Sequence, residues 1–270
     1  MTERLTLAQQ HLYTFRMCQR RFFLRFLSHI PWPEAPLESE LETAYDRGRR
    51  FHRWIERYFL GLPIQPQAAD DATMRAWWSA FEQEGPSIPA GERFVEFGLT
   101  VPIQRHFLTG RFDLLVVSND NGSQPYAHIF DWKTGEPRTI ERLRKAWQTR
   151  VYLAVLAEGG PALSKVRPQT LAADHLTFTY WYVEHPQQPR FIQYDQAQHN
   201  NNWAELESIV EEIDRQLIEN NWPLTDDWEE CRQCAYQAHC GRQTAGDDLM
   251  LIVDEDELGD NDDWLEPQWG

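Results

Sequence analysis

Long hydrophobic runs are missing from this 270-residue sequence. No apolar stretch approaches the roughly 18 residues that a membrane-spanning helix needs, and the mean hydropathy is -0.63. The opening MTERLTLAQQHLYTF lacks the basic start, continuous apolar core and small-residue cleavage site of a secretory signal. The expectation is therefore a soluble cytoplasmic protein with no membrane partner. Nothing resembles the Gly-x-x-x-x-Gly-Lys-Ser/Thr phosphate loop, so the sequence carries no P-loop motor of its own. There is no internal repeat. Lysine is scarce, with three residues (Lys133, Lys145, Lys165) against 23 arginines, and cysteine is limited to four.

What is present begins with charge. The formal net charge of -16 argues at first sight against a nucleic-acid partner. From Asp247 onward, however, the chain holds ten acidic residues and no basic one; the rest has 32 acidic against 26 basic residues, a net of -6. Fourteen of the basic residues fall within 16–25, 47–57 and 138–150. Phosphate binding responds to such local positive surface, not to the total.

Hydrophobic residues make up 41% of the chain, enough for a substantial core. Helical periodicity over 7–27 puts Leu12, Phe15, Cys18, Phe22 and Phe26 on one stripe. A second helix, over 41–60, turns His52 inward beside Phe51 and Ile55, and a third covers 71–84. Strand patterns follow at 93–103, 107–117 and 126–133, then a helix over 138–158, strands at 175–183 and 190–194, and a polar helix over 200–219. Helices flanking consecutive strands predict an α/β fold with a mixed central sheet. The divisions expected are 1–225 for the main domain, 226–245 for a cysteine segment and 246–270 for a solvated acidic tail.

Residues 128–138, HIFDWKTGEPR, end an apolar strand in Asp131 and Lys133. Two apart on a strand, these side chains share a face. If 111–118 and 126–133 form a hairpin, partners sum to about 244 and Asp113 lies opposite Asp131. Two carboxylates so placed repel unless a cation sits between them, and oxygen ligands suit magnesium or manganese. A strand-end ion pair is the simpler alternative. Lysine favours the chemical reading, because its proton affinity can be tuned whereas that of arginine cannot.

Cys231, Cys234 and Cys240 stand in CRQCAYQAHC. In a cytosolic protein such a trio indicates metal or cluster ligation more than disulfides, with Cys18 or His239 as a fourth ligand. Ligand type alone does not separate zinc from a [4Fe–4S] cluster.

Gly110-x-x-Asp113 followed by Asp131-Trp132-Lys133-Thr134-Gly135 resembles the core signature of the PD-(D/E)XK nuclease superfamily, most closely its RecB-like branch. His52 in GRRFHRWIE and the pair Gln148 and Tyr152 in AWQTRVYLAVL match further elements of that branch. Cys18 with the C-terminal trio is similar to the cysteine pattern of the iron–sulfur members, AddB-type subunits and CRISPR-adaptation nucleases among them. The resemblance spans about 7–242. It implies a restriction-endonuclease-like core with a small cysteine-cluster appendage. It further implies a magnesium or manganese site formed by His52, Asp113, Asp131 and the Trp132 backbone carbonyl. Lys133 would orient the attacking water, Gln148 and Tyr152 would position the DNA strand, and a [4Fe–4S] cluster would take precedence over zinc. The function implied is an exonuclease on single-stranded DNA ends in repair, recombination or CRISPR adaptation, working beside a helicase or adaptation proteins. A non-catalytic DNA- or protein-binding subunit is the rival. Glu96, on the preceding strand, stands outside the expected set.

Overall fold

Strand β3 (His106–Ser118) is the hub of a six-stranded mixed sheet. The computed structural model describes residues 4–31, 39–66, 71–118, 125–163, 171–232 and 234–242; the expected acidic tail lies outside them. Along one edge β3 pairs from His106 to Val117 with antiparallel β2 (Glu92–Ile103), except at Asp113. Its other edge is divided. Parallel β1 (Thr6–Leu7) takes Phe107 and Leu108, and antiparallel β4 (Tyr126–Lys133) takes Leu114 to Ser118. The residues between these two stretches pair with neither. Beyond β4 lie parallel β5 (Leu176–Tyr182) and antiparallel β6 (Arg190–Gln193).

Alternation along β4 sends Ala127 and Ile129 into one core and Phe130 and Trp132 into the other. The first core is closed by α1 (Gln9–Met17), α6 (Trp147–Gly159) and α7 (Gln196–Glu219), through Leu12, Phe15, Val151, Val155, Leu206 and Ile213. The second is closed by α3 (Ser39–Phe59) and α4 (Ala72–Glu84) and is dense in aromatics. There Trp132 stacks on Phe59 and Phe130 at centroid distances of 5.9 and 6.0 Å. Asp71 starts α4 by accepting from the Thr73 and Met74 amides, and the Arg47 side chain bonded to it holds its carboxyl below the usual range. The expected α/β fold with a mixed sheet flanked by helices is what forms.

Two long helical periods break. The stretch expected to be one helix over 7–27 is divided at Cys18, which is extended (φ -159°, ψ 111°) between α1 and α2 (Gln19–Phe22), followed by a π-helical turn, Phe23–Leu27. The Cys18 sulfur accepts from the Arg21 amide and so starts α2. Likewise 138–158 divides at Ala146 (ψ 137°) into α5 (Ile140–Lys145) and α6. Thr149 Oγ1 donates to the Leu143 carbonyl across this break at 2.6 Å. Both turns are local rearrangements that tertiary contacts reward, and periodicity does not register them.

Candidate active site and cysteine pocket

The hairpin register sums to 244 from Leu114–Phe130 through Ser118–Tyr126, as expected, and stops there. The next partners would be Asp113 and Asp131, both buried at 7% and 3% exposure. In place of a ladder bond, Asp113 Oδ2 accepts from the Trp132 amide at 2.9 Å. A strand residue points its N–H and C=O to the same edge, so the Trp132 carbonyl also faces the Asp113 side. The neighbouring Lys133 carbonyl accepts from Val183, on the β5 side, as strand alternation requires.

Asp131 faces a different set. Its Oδ1 accepts from Gln148 Nε2 at 2.6 Å, and its Oδ2 lies 2.9 Å from Lys133 Nζ without hydrogen-bond alignment. Lys133 Nζ in turn donates to Gln148 Oε1 at 3.2 Å and sits 5.6 Å above the Tyr180 ring. The break at Ala146 is what delivers Gln148, the second residue of α6, to this position. Thr149 spends its one proton on Leu143, so Tyr180 donates to Thr149 Oγ1 at 2.8 Å. Burial, followed by the nearby Asp131 charge, pushes the Tyr180 phenol well above its ordinary range and keeps it a donor.

His52 arrives from α3, on the opposite face. Its Nδ1 is 3.4 Å from Asp113 Oδ2 and is buried without a hydrogen-bond partner. Glu96, left out of the expected set, comes to the same place. The β2–β3 register sums to 209, which sets Glu96 across from Asp113, yet the ladder skips this position and Glu96 is left-handed (φ 48°). One ligand atom from each of His52, Glu96 and Asp113 lies within 4.8 Å of the others. A two-residue turn at Gln104 and Arg105 would have given that register from sequence, had its hairpin been recognised. Arg111 Nε donates to Glu96 Oε2 at 2.9 Å.

Tyr152, one turn further along α6, lies edge-on to Phe112 (5.3 Å) and parallel to Phe178 (6.1 Å). A Cβ on Gly110 would come 3.1 Å from its ring, which explains the glycine in Gly110-x-x-Asp113 as room for this tyrosine. The structure therefore brings Asp131, Lys133 and Gln148 into one group and His52, Asp113 and Glu96 into another across the split, with Asp131 outside the latter. Arg50 and Arg53 on α3 and Arg142, Arg144 and Lys145 on α5 are exposed, as are Asp46 and Glu141 on the same helices.

A second cluster forms where α2 meets α8 (Trp228–Arg232) and α9 (Gln237–Cys240). Cys18, Cys231, Cys234 and Cys240 line one pocket with Arg21, Glu230 and Arg242, and all four are free thiols. Burial raises the Cys234 and Cys240 thiols, and the nearby Cys18 adds to the effect. Arg242 Nη1 donates to Cys231 Sγ at 3.0 Å while its guanidinium lies 4.5 Å over Trp228. Tyr236, fully buried, donates to the Ile30 carbonyl and ties the segment to the N-terminal helices.

A sheet split between two carboxylates, with a lysine, a glutamine and a histidine converging on the split, defines a candidate centre for hydrolysis at phosphorus. The family model of the PD-(D/E)XK nuclease superfamily matches residues 6–90 and 72–241, and the chain belongs to that superfamily. Among solved structures, a candidate exonuclease from Eubacterium rectale aligns with a TM-score of 0.51 and 11% identity, covering 82% of this chain and 84% of that one; this shows likeness of fold. The structure of SSO0001 aligns over 90% of both chains at 14% identity, but its TM-score of 0.37 carries no argument. No curated protein matches the chain in sequence. Among the described residues no helix is long and apolar enough to cross a membrane.

Proposed function

We propose that this nuclease-superfamily chain is a magnesium- or manganese-dependent deoxyribonuclease that removes nucleotides from single-stranded DNA ends. The observation that carries the reading is the convergence of Asp113, Asp131, Lys133 and Gln148 where β3 and β4 part. The residues fit a divalent cation: His52 Nδ1 is buried and unpartnered beside Asp113, and a second buried carboxylate, Asp131, stands on the adjoining strand. His52, Asp113, Asp131 and the Trp132 carbonyl would hold it, and it would supply Lewis-acid stabilisation of phosphate charge and a more acidic water. Lys133 presents its ammonium to the water and to the phosphate, with Asp131 and Gln148 fixing its direction. Water attacks phosphorus, one phosphate ester bond breaks, and the leaving oxygen takes a proton. Gln148 acts on the strand indirectly, through Lys133, while Tyr152 would stack or hydrogen-bond near the entering nucleotide.

The cysteine pocket is proposed to hold a [4Fe–4S] cluster that clamps the two ends of the domain. Four cysteines lining one pocket supply a thiolate set that a cluster or a zinc could use, and the resemblance to the iron–sulfur members favours the cluster. The end preference, and action beside a helicase or CRISPR-adaptation proteins, rest on the family resemblance.

The test combines spectroscopy with cleavage. Protein purified without oxygen is expected to be brown and to contain iron; a colourless, iron-free, zinc-loaded protein would reject the cluster. End-labelled linear single strands should be degraded with manganese or magnesium, while closed circles survive; cut circles would reject the exonuclease assignment. Activity persisting in Lys133→Ala or Asp113→Ala would reject the site.

A further inference from the structure

Glu96 sits in a backbone conformation that an extended strand does not offer. Its φ of 48° lies in the left-handed region, where residues with a Cβ are disfavoured and Asn or Gly is more at ease. The register is the same on both sides of it, 95 with 114 and 97 with 112, because each strand leaves one residue unpaired, Glu96 and Asp113. Both strands change faces here: Phe97 and Phe112 lie on the first core, Val95 and Leu114 on the second, and Phe94 and Leu115 on the first again. The left-handed backbone of Glu96 belongs to this switch. It brings a carboxylate to within 4.8 Å of the ligand atoms of His52 and Asp113. Within this trio, His52 Nδ1 is buried without a hydrogen-bond partner and lies 3.4 Å from Asp113 Oδ2, on a side chain 19% exposed. Asp131 is turned elsewhere, with one oxygen on Gln148 and the other against Lys133.

From these placements we infer that Glu96 is a further ligand of the proposed cation, joining His52 and Asp113 on the side of the centre away from Lys133. One imidazole nitrogen and two carboxylates make a mixed set that suits manganese better than magnesium, which prefers oxygen alone. Arg111, bonded to Glu96 at 2.9 Å, supplies the positive charge on that carboxylate when the cation is absent and competes with it for Glu96. The inference shares its location with the nuclease proposal but rests on binding alone.

Manganese binding to the full chain, measured by titration calorimetry, tests it. Wild type should bind manganese more tightly than magnesium. Glu96→Asn should weaken manganese by about tenfold or more while leaving the melting temperature equal or higher, because asparagine accepts the left-handed backbone. Glu96→Gln, which keeps the side-chain length, should show the same loss of affinity and guards against a folding effect peculiar to asparagine. Arg111→Gln should bind manganese as tightly as wild type or more so, and Asp131→Asn should lose less than Glu96→Asn. Unchanged affinity in both Glu96 variants would overturn the inference. So would Arg111→Gln losing as much as they do, since Glu96 would then act through its ion pair. A chain that binds manganese through Glu96 but cuts no DNA would refute the nuclease proposal alone. One that cuts DNA with manganese affinity indifferent to Glu96 would refute this inference alone.

Discussion

Gln148 has one amide donor group and one carbonyl, and the structure commits both inside the site: Nε2 to Asp131 and Oε1 to Lys133. The glutamine holds a carboxylate and an ammonium at fixed separation, a task for which a neutral side chain bearing both functions is suited. Gln148→Ala releases Lys133 from one of its anchors. A misplacement of about 1 Å at a reacting group costs on the order of a hundredfold in rate. Single-turnover cleavage should slow by about that factor, with DNA affinity nearly unchanged. A fall in affinity with the rate intact would instead return Gln148 to direct contact with the strand.

At the scale of elements, the position of Gln148 depends on a break that its own helix does not announce. Periodicity runs smoothly through 138–158, yet the backbone turns at Ala146, and Thr149 takes the Leu143 carbonyl that a continuing helix would have used. Thr149 also receives the Tyr180 hydroxyl, so one buried group ties α5, α6 and β5 together. Thr149→Val keeps the shape and removes the bonds. The Leu143 carbonyl keeps the Ala146 amide and the Tyr180 hydroxyl keeps Gln148 Oε1 at 3.4 Å, so denaturant unfolding should show the net loss of one to two hydrogen bonds, about 1 kcal/mol. An unchanged midpoint would mean the break is held by packing alone. The break at Cys18 follows the same logic: periodicity places the cysteine on the helix stripe, and the extended backbone turns its sulfur to the C-terminal trio.

For the whole molecule, acid should be felt through two histidines outside the candidate site, His11 buried and His128 half-buried. Burial, aided by the Arg25 charge, lowers His11 to about 4; burial lowers His128 to about 4. Both lie below the unfolded value of about 6.5, so between these values the unfolded chain binds more protons than the native one. Stability is then full above pH 6.5 and falls as pH drops toward 4. The loss is at most about 3 kcal/mol per histidine. Urea unfolding at pH 7 and pH 4.5 should show this, and His128→Gln should flatten its share of the slope. A flat profile in the native sequence would mean that neither histidine is held neutral by burial.

The sequence by itself determined the mixed α/β class, the hairpin register of 244 as far as Leu114 and Phe130, and the closeness of Asp131 to Lys133, because strand alternation and a short connection fix which side chains share a face. It marked His52 and Gln148 as partners and the four cysteines as a group. Tertiary structure alone decided the backbone breaks at Cys18 and Ala146, the engagement of Gln148 with the lysine, and the arrival of Glu96. Each is a departure from local periodicity, stabilised by contacts with residues distant in the chain. Glu96 marks the limit most clearly. Its strand pattern is ordinary, and only the surrounding sheet holds its backbone left-handed and its carboxylate beside His52.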